Sequence, residues 1–160
     1  MKRMLFVLAI LISGAVAARP LLAEDSPFVG TWKLNVAKSK VEGATIPKSL
    51  MRTVTADGTG LKYVYEGVAA DGSAISYSFS SNFDGKASAV TGNGMPGGAD
   101  SLLLKRADAH KTTAALSKGG KEIGRSEAEV SKDGKVTTIK SKAKGADGKE
   151  ISTVSVFDKQ

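Results

Sequence analysis

Aspartate-glycine pairs punctuate this chain at even intervals: Asp57-Gly58, Asp71-Gly72, Asp84-Gly85, Asp133-Gly134 and Asp147-Gly148, joined by Gly119-Gly120. Each lies between runs that alternate in polarity or are rich in β-branched residues. Dipeptides of this kind supply the positive φ that tight hairpin turns demand, because the twist of those turns matches the twist of the flanking strands. A chain punctuated in this way is a string of hairpins. No segment sustains apolar residues at helical spacing, which argues against a βαβ architecture. The turns are alike but the strands between them are not, so the pattern reads as a meander and not as a repeat array.

The strands expected are 30–36, 50–55, 61–68, 74–81, 86–90, 101–106, 111–118, 122–130, 135–142 and 150–157. Short strands in simple up-and-down order need closure to remove their edges, as a barrel or as two orthogonal sheets. The expected fold is therefore all-β, a closed up-and-down antiparallel barrel of about 8–10 short strands. Alternation assigns the inside. Leu61, Tyr63 and Tyr65 share one face, Ile75, Tyr77 and Phe79 another, and Leu102 and Leu104 a third. The interior is aromatic around the third and fourth strands and light elsewhere, with many Ala, Ser and Thr, which leaves room. Two connections are longer than a turn. Residues 37–48 are read as a helical turn or a lid over the barrel mouth, and the glycine-rich run 91–99 as a crossing between strands beside a ligand portal. A phosphate cradle in that run would need a helix amino terminus after it, and a strand follows.

The chain's only tryptophan lies in Phe28-Val29-Gly30-Thr31-Trp32-Lys33-Leu34-Asn35. Period-two reading puts Trp32, Leu34 and Val36 on one face and Thr31, Lys33 and Asn35 on the other. Gly30 lets another backbone approach, so the indole can fold across the bottom of a closed sheet as a plug. This stretch resembles the opening strand of the calycin superfamily, the lipocalins and more closely the fatty-acid-binding proteins, which start Phe-x-Gly-x-Trp-Lys-Leu. With Lys38-Ser39-Lys40 and the later Ser131-Lys132-Asp133-Gly134-Lys135, it also resembles a group of small exported bacterial proteins of lipocalin-like type. The resemblance implies one barrel over the whole of 24–160, an enclosed small-molecule site and no catalytic residues. At the far end, Val154-Ser155-Val156-Phe157-Asp158-Lys159 is similar to the closing strand of the fatty-acid-binding proteins, where an Arg-x-Tyr pair precedes an acid and a lysine. Here Ser155 and Phe157 stand at those two positions, so the carboxylate anchor that the resemblance implies is lost. Neutral apolar molecules are then expected to bind better than long-chain carboxylates, unless an inward arginine takes over, Arg106 first and Arg52 next.

Upstream, Lys2 and Arg3 precede the apolar run Leu5–Ile12 and small residues, with cleavage expected after Ala17 or Ala23: a secretory signal peptide over 1–23. The run is too short to span a bilayer comfortably, which takes about 20 residues. There is no cysteine, so neither disulfides nor lipid attachment at a cysteine is available. Without Lys2, Arg3 and Arg19 the formal charge falls from +7 to +4. The remaining lysines are spread over every segment with no arginine cluster, which argues against a nucleic-acid surface and for a solvated exterior. A periplasmic or secreted monomer is expected.

The chemical inventory is thin. His110 is the only histidine and sits in a polar turn, so a metal site is not expected, and a haem ligated by it has no other support. No Gly-x-Ser-x-Gly elbow is present. Glu127 and Glu129 share a strand face with Arg125, which reads as a solvated charge ladder. No cofactor and no catalysis are expected. The site residues expected are Tyr63, Tyr65, Tyr77, Phe79, Leu104 and Arg106 around an apolar ligand, with Trp32 and Gly30 as the plug. The alternative is a ligand-free structural or interaction module of the cell envelope, in which the same aromatics fill the core. An outer-membrane barrel is disfavoured by the Lys, Glu, Ser and Thr on the outward faces.

Overall fold

The computed structural model describes residues 25–145 and 147–160; the leader expected over 1–23 lies outside the described residues. The first half of the barrel is built from β1 (Gly30–Leu34), β2 (Lys40–Glu42), β3 (Ser49–Asp57), β4 (Gly60–Val68), β5 (Ala74–Ser81), β6 (Ser88–Ala89) and β7 (Thr91–Asn93). The second half is β8 (Ser101–Arg106), β9 (Lys111–Lys118), β10 (Lys121–Val130), β11 (Val136–Lys144) and β12 (Glu150–Lys159). They form one antiparallel sheet in the order β6-β8-β9-β10-β11-β12-β1-β3-β4-β5-β7, with β2 also paired to β12. The result is a nearly closed barrel.

Closure uses two shared strands. The lower part of β12 pairs with β1 and its upper part with β2, so β1 and β2 act as one strand broken by a turn. On the opposite side β6 pairs with β8 and β7 with β5, and only Val90 separates them. The Val90 N–H donates to the Asp100 carbonyl at 2.8 Å, so the crossing point itself is tied to the neighbouring chain. The strand expected over 86–90 is thus reduced to Ser88–Ala89, and the run read as a loop contains β7 and a 3-10 turn at Pro96–Gly98.

The hairpin grammar operates as expected. Gly58, Gly72, Gly85, Gly134 and Gly148 all have positive φ. Asp71, Asp84, Asp133 and Asp147 each accept a hydrogen bond from the N–H two residues on, at 2.9–3.1 Å, the local bond that makes aspartate a turn former. Gly124 serves a different purpose. It follows a bulge in β10, and a Cβ there would run into the Lys142 carbonyl of β11.

The first strand ends earlier than the alternation suggests. Val36 is 43% exposed and lies in a 3-10 turn, Val36–Lys38, not on the inner face. The cause is Asn35, whose side chain accepts from the Lys38 N–H at 3.1 Å and donates to Asp158 at 2.7 Å. Ser39 then donates to the Asn35 carbonyl and accepts from the Val156 N–H at 3.0 Å, fastening the turn to β12. The 37–48 connection therefore holds a helical turn, followed by the strand β2, which sequence reading did not expect.

Trp32 is fully buried, and its indole N–H donates to the Phe28 carbonyl at 3.0 Å. Phe28, Val54, Leu61, Val130 and Phe157 are each at most 1% exposed, and Lys159 places its ammonium 5.1 Å from the indole centroid. Gly30 is required for a reason other than backbone approach. Its φ is +138°, and a Cβ would meet the Lys159 side chain at 2.7 Å. No helix among the described residues is long and apolar enough to cross a membrane. Replacing Trp32 with alanine is expected to cost about 3–5 kcal/mol, the range for a large buried aromatic. A reversible denaturant titration measures it, and a cost near zero would remove the indole from the core.

Candidate ligand cavity

Strand alternation delivers two different walls to the lumen. On β4 and β5 the inward residues pair directly, Tyr63 with Phe79 and Tyr65 with Tyr77. Their rings stack with centroids 4.7 Å and 4.6 Å apart, and Tyr65 and Phe79 are 6.4 Å apart on the diagonal. On β10, β11 and β12 the facing residues include a row of small and hydroxylated ones beside Ile139, Ile151 and Phe157. Ser126 pairs with Ser141 and Ser141 with Thr153, whose hydroxyls lie 2.6 Å apart. Between the walls is a cavity of about 430 Å³. That lies within the roughly 300–1,000 Å³ of small-molecule sites.

The cavity opens at one end. Its mouth is formed by Ala44, Thr45 and Pro47, by Ala69, Ala70, Ser73 and Ala74 around the β4–β5 turn, and by Asn93 to Pro96, while the buried plug lies at the other end. The glycine-rich run thus contributes residues to the mouth, as does the 37–48 connection.

Of the residues expected at the site, Tyr63, Tyr65, Tyr77, Phe79 and Leu104 all line the cavity, as do Ser155 and Phe157. Arg106 does not. It is on the inner face by parity, but at the closed end of β8, with its guanidinium 4.6 Å from the centroid of Phe83. Phe83 has a positive φ of 57°, which turns the β5–β6 connection so that its ring covers that arginine. Arg125 is on the outside, bonded to Glu122 at 2.7 Å. Glu127 and Glu129 both pair with Lys111, at 3.4 Å and 3.6 Å, as the exposed ladder expected. His110 lies in the β8–β9 turn with Nδ1 3.2 Å from the Val130 carbonyl, and does not line the cavity. The described residues hold no cluster of three or more His, Cys, Asp and Glu able to bind a metal.

The arginine inside is Arg52, only 2% exposed. It pairs across the sheet with Trp32 on one side and Tyr65 on the other, and lines the cavity. Among the described residues its Nε and Nη1 have no hydrogen-bond partner, and neither has the hydroxyl of Tyr63. The guanidinium carbon lies 5.9, 5.3 and 6.0 Å from the ring centroids of Phe28, Tyr63 and Tyr65. Cation–π contacts of this kind are worth about 0.5–2 kcal/mol each. Burying a charge costs several kcal/mol even after relaxation. The rings therefore offset part of the cost and leave the hydrogen-bonding demand of the fork unmet. The signal for this residue is present in the sequence, since Leu50, Arg52 and Val54 share one parity on β3.

No family model matches the chain, and no curated protein matches it. Among solved structures, the chain is similar to zebrafish ileal bile acid-binding protein complexed with cholic acid. The identity is 18% and the TM-score 0.50, over 84% of this chain and all of that one. The fold is a calycin-like barrel. The siderocalin Ex-FABP also matches, over 84% of this chain and 75% of its own, at 14% identity and a TM-score of 0.37, too loose to add to the comparison.

Two phenols of this barrel, those of Tyr63 and Tyr77, are held neutral by burial. Burial pushes Tyr63 up to about 12, with the Arg52 charge pulling the other way, and burial pushes Tyr77 well above its ordinary value. For groups whose pKa is raised by folding, the associated stability is complete below the unfolded value of 10.0 and is lost as pH climbs towards 12. Denaturant midpoints are expected to fall across that window, with phenolate absorbance rising together with loss of the near-ultraviolet signal. Ionisation of Tyr63 and Tyr77 near pH 10 in the folded protein would contradict the buried wall.

Proposed function

We propose that this chain is an exported, monomeric, non-enzymatic carrier that holds one small apolar or amphipathic molecule inside the barrel. The observation that carries the reading is the cavity of about 430 Å³, walled by four aromatic side chains on one side. A protein filling its own core would interdigitate side chains there, because interiors are packed to crystal-like density. Ala114, Ser126, Ala128 and Ser141 instead stop short of the opposite wall. The zebrafish protein of like fold is complexed with cholic acid, a bulky amphipathic molecule; we carry that ligand type over to this chain as part of the proposal. The phenols of Tyr63 and Tyr77 are kept protonated, which suits binding better than proton transfer at neutral pH.

Titration with a neutral fluorescent probe is expected to give one site per chain. Ala128→Phe, which projects a ring into the lumen from β10, is expected to weaken the probe at least about tenfold, equivalent to ~1.4 kcal/mol, with an unchanged far-ultraviolet spectrum. Absence of probe binding, or binding indifferent to the added ring, would overturn the carrier and favour a ligand-free envelope module.

Export rests on the sequence of 1–23. Amino-terminal sequencing of the protein from its own cells is expected to begin at Ala18 or Glu24, and an intact Met1 would overturn it.

A further inference from the structure

The cavity contains a cation with no anion. Asp and Glu are absent from its lining among the described residues, and the ion pairs found there, from Lys38–Asp158 to Lys149–Asp147, lie on the outer surface. Arg52 is nevertheless turned inward, with Nε and Nη1 unpartnered and the Tyr63 hydroxyl orphaned in the same region, 5.3 Å separating the guanidinium carbon from that ring's centroid. No carboxylate of the described residues lines the cavity to compensate it.

We infer that Arg52 and Tyr63 form an oxyanion seat at the plugged end of the cavity, and that the ligand is an amphipathic anion that enters head first. The inference rests on the carrier reading and narrows it to one chemical class. A carboxylate is the best match, because two parallel N–H donors of a guanidinium fit its two oxygens. The phenol, protonated at neutral pH, adds a third donor. The stacked tyrosines reinforce the choice. Ring faces engaged with one another leave ring edges for the lumen, and edges carry the positive end of the aromatic quadrupole. Towards the mouth the lining turns apolar, with Leu50, Ile75, Met95 and Ile151, which suits a hydrocarbon tail. This seat is on β3 and β4. It is not the closing-strand pair that the resemblance implies, whose positions are held by Ser155 and Phe157.

The test is displacement of the neutral probe by dodecanoate, dodecanol and dodecyltrimethylammonium at neutral pH. Dodecanoate is expected to compete about 10- to 100-fold better than the alcohol, the value of hydrogen bonds to a buried charge, and the ammonium compound worst. Arg52→Met is expected to remove that preference while the probe still binds, whereas Arg106→Met leaves it intact. Tyr63→Phe is expected to reduce it several-fold. Should Arg52→Met fail to fold, the side-chain Nε–H resonance of Arg52 in the unaltered protein is expected to shift on adding dodecanoate and to stay in place with dodecanol. Equal competition by acid and alcohol, or an acid preference that survives Arg52→Met, or a resonance indifferent to the acid, would overturn the seat. Each of these leaves the carrier standing if the probe binds, whereas failure of the probe to bind would remove the carrier itself.

Discussion

Closure of the sheet is the constraint on which everything else depends. An open twelve-element sheet would leave two rows of unpaired N–H and C=O groups, a template for association with other chains. Here the two rows meet through six residues, Ser88 to Asn93, that serve β8 with one half and β5 with the other. On the far side β12 serves β1 and β2 in the same divided way. Once the ring is closed, inward residues have nowhere to go but the lumen. The plug at Phe28 and Trp32 then decides which end stays open.

The aromatic wall was legible in the sequence for a simple reason. Leu61, Tyr63 and Tyr65, and Ile75, Tyr77 and Phe79, recur at every second position between glycine turns, with Val64 alone out of phase, so parity sets their face. Parity did not distinguish the arginines. Arg52 and Arg106 both fall on inner faces, but parity carries no information about height along the barrel. Height is fixed by strand tilt and by what caps the end, and Phe83, with its positive φ, takes Arg106 out of the lumen. Val36 was misplaced by the same blindness. Its alternation continues that of Trp32 and Leu34, yet Asn35 bonds both to Lys38 and to Asp158, 123 residues away. β2 was missed because Lys40-Val41-Glu42 is too short and too charged to announce a strand. It exists because β12 has unpaired length to offer it.

The interior is unequal in polarity around its circumference. One side carries phenols and a guanidinium, the other a row of small hydroxyls among apolar residues, with Ser141 and Thr153 satisfying one another. A lumen of this kind orients what it encloses. The small residues opposite the rings also explain why the chain can fold around a space: the aromatic pairs supply their own contact area across strands, so the far wall need not reach them.

The mouth is bordered by the segments Gly43 to Pro47 and Gly94 to Pro96, which lie outside the ladder of the sheet. Gly43 and Gly94 have φ near +77° and +93°, a region that side chains rarely enter, so these bends are set by the chain itself. Passage in and out therefore has no need to break strand pairing. In the proposed carrier, residence time would be set by these short segments and global unfolding by the sheet, so the two rates would be free to differ by orders of magnitude and to be altered separately.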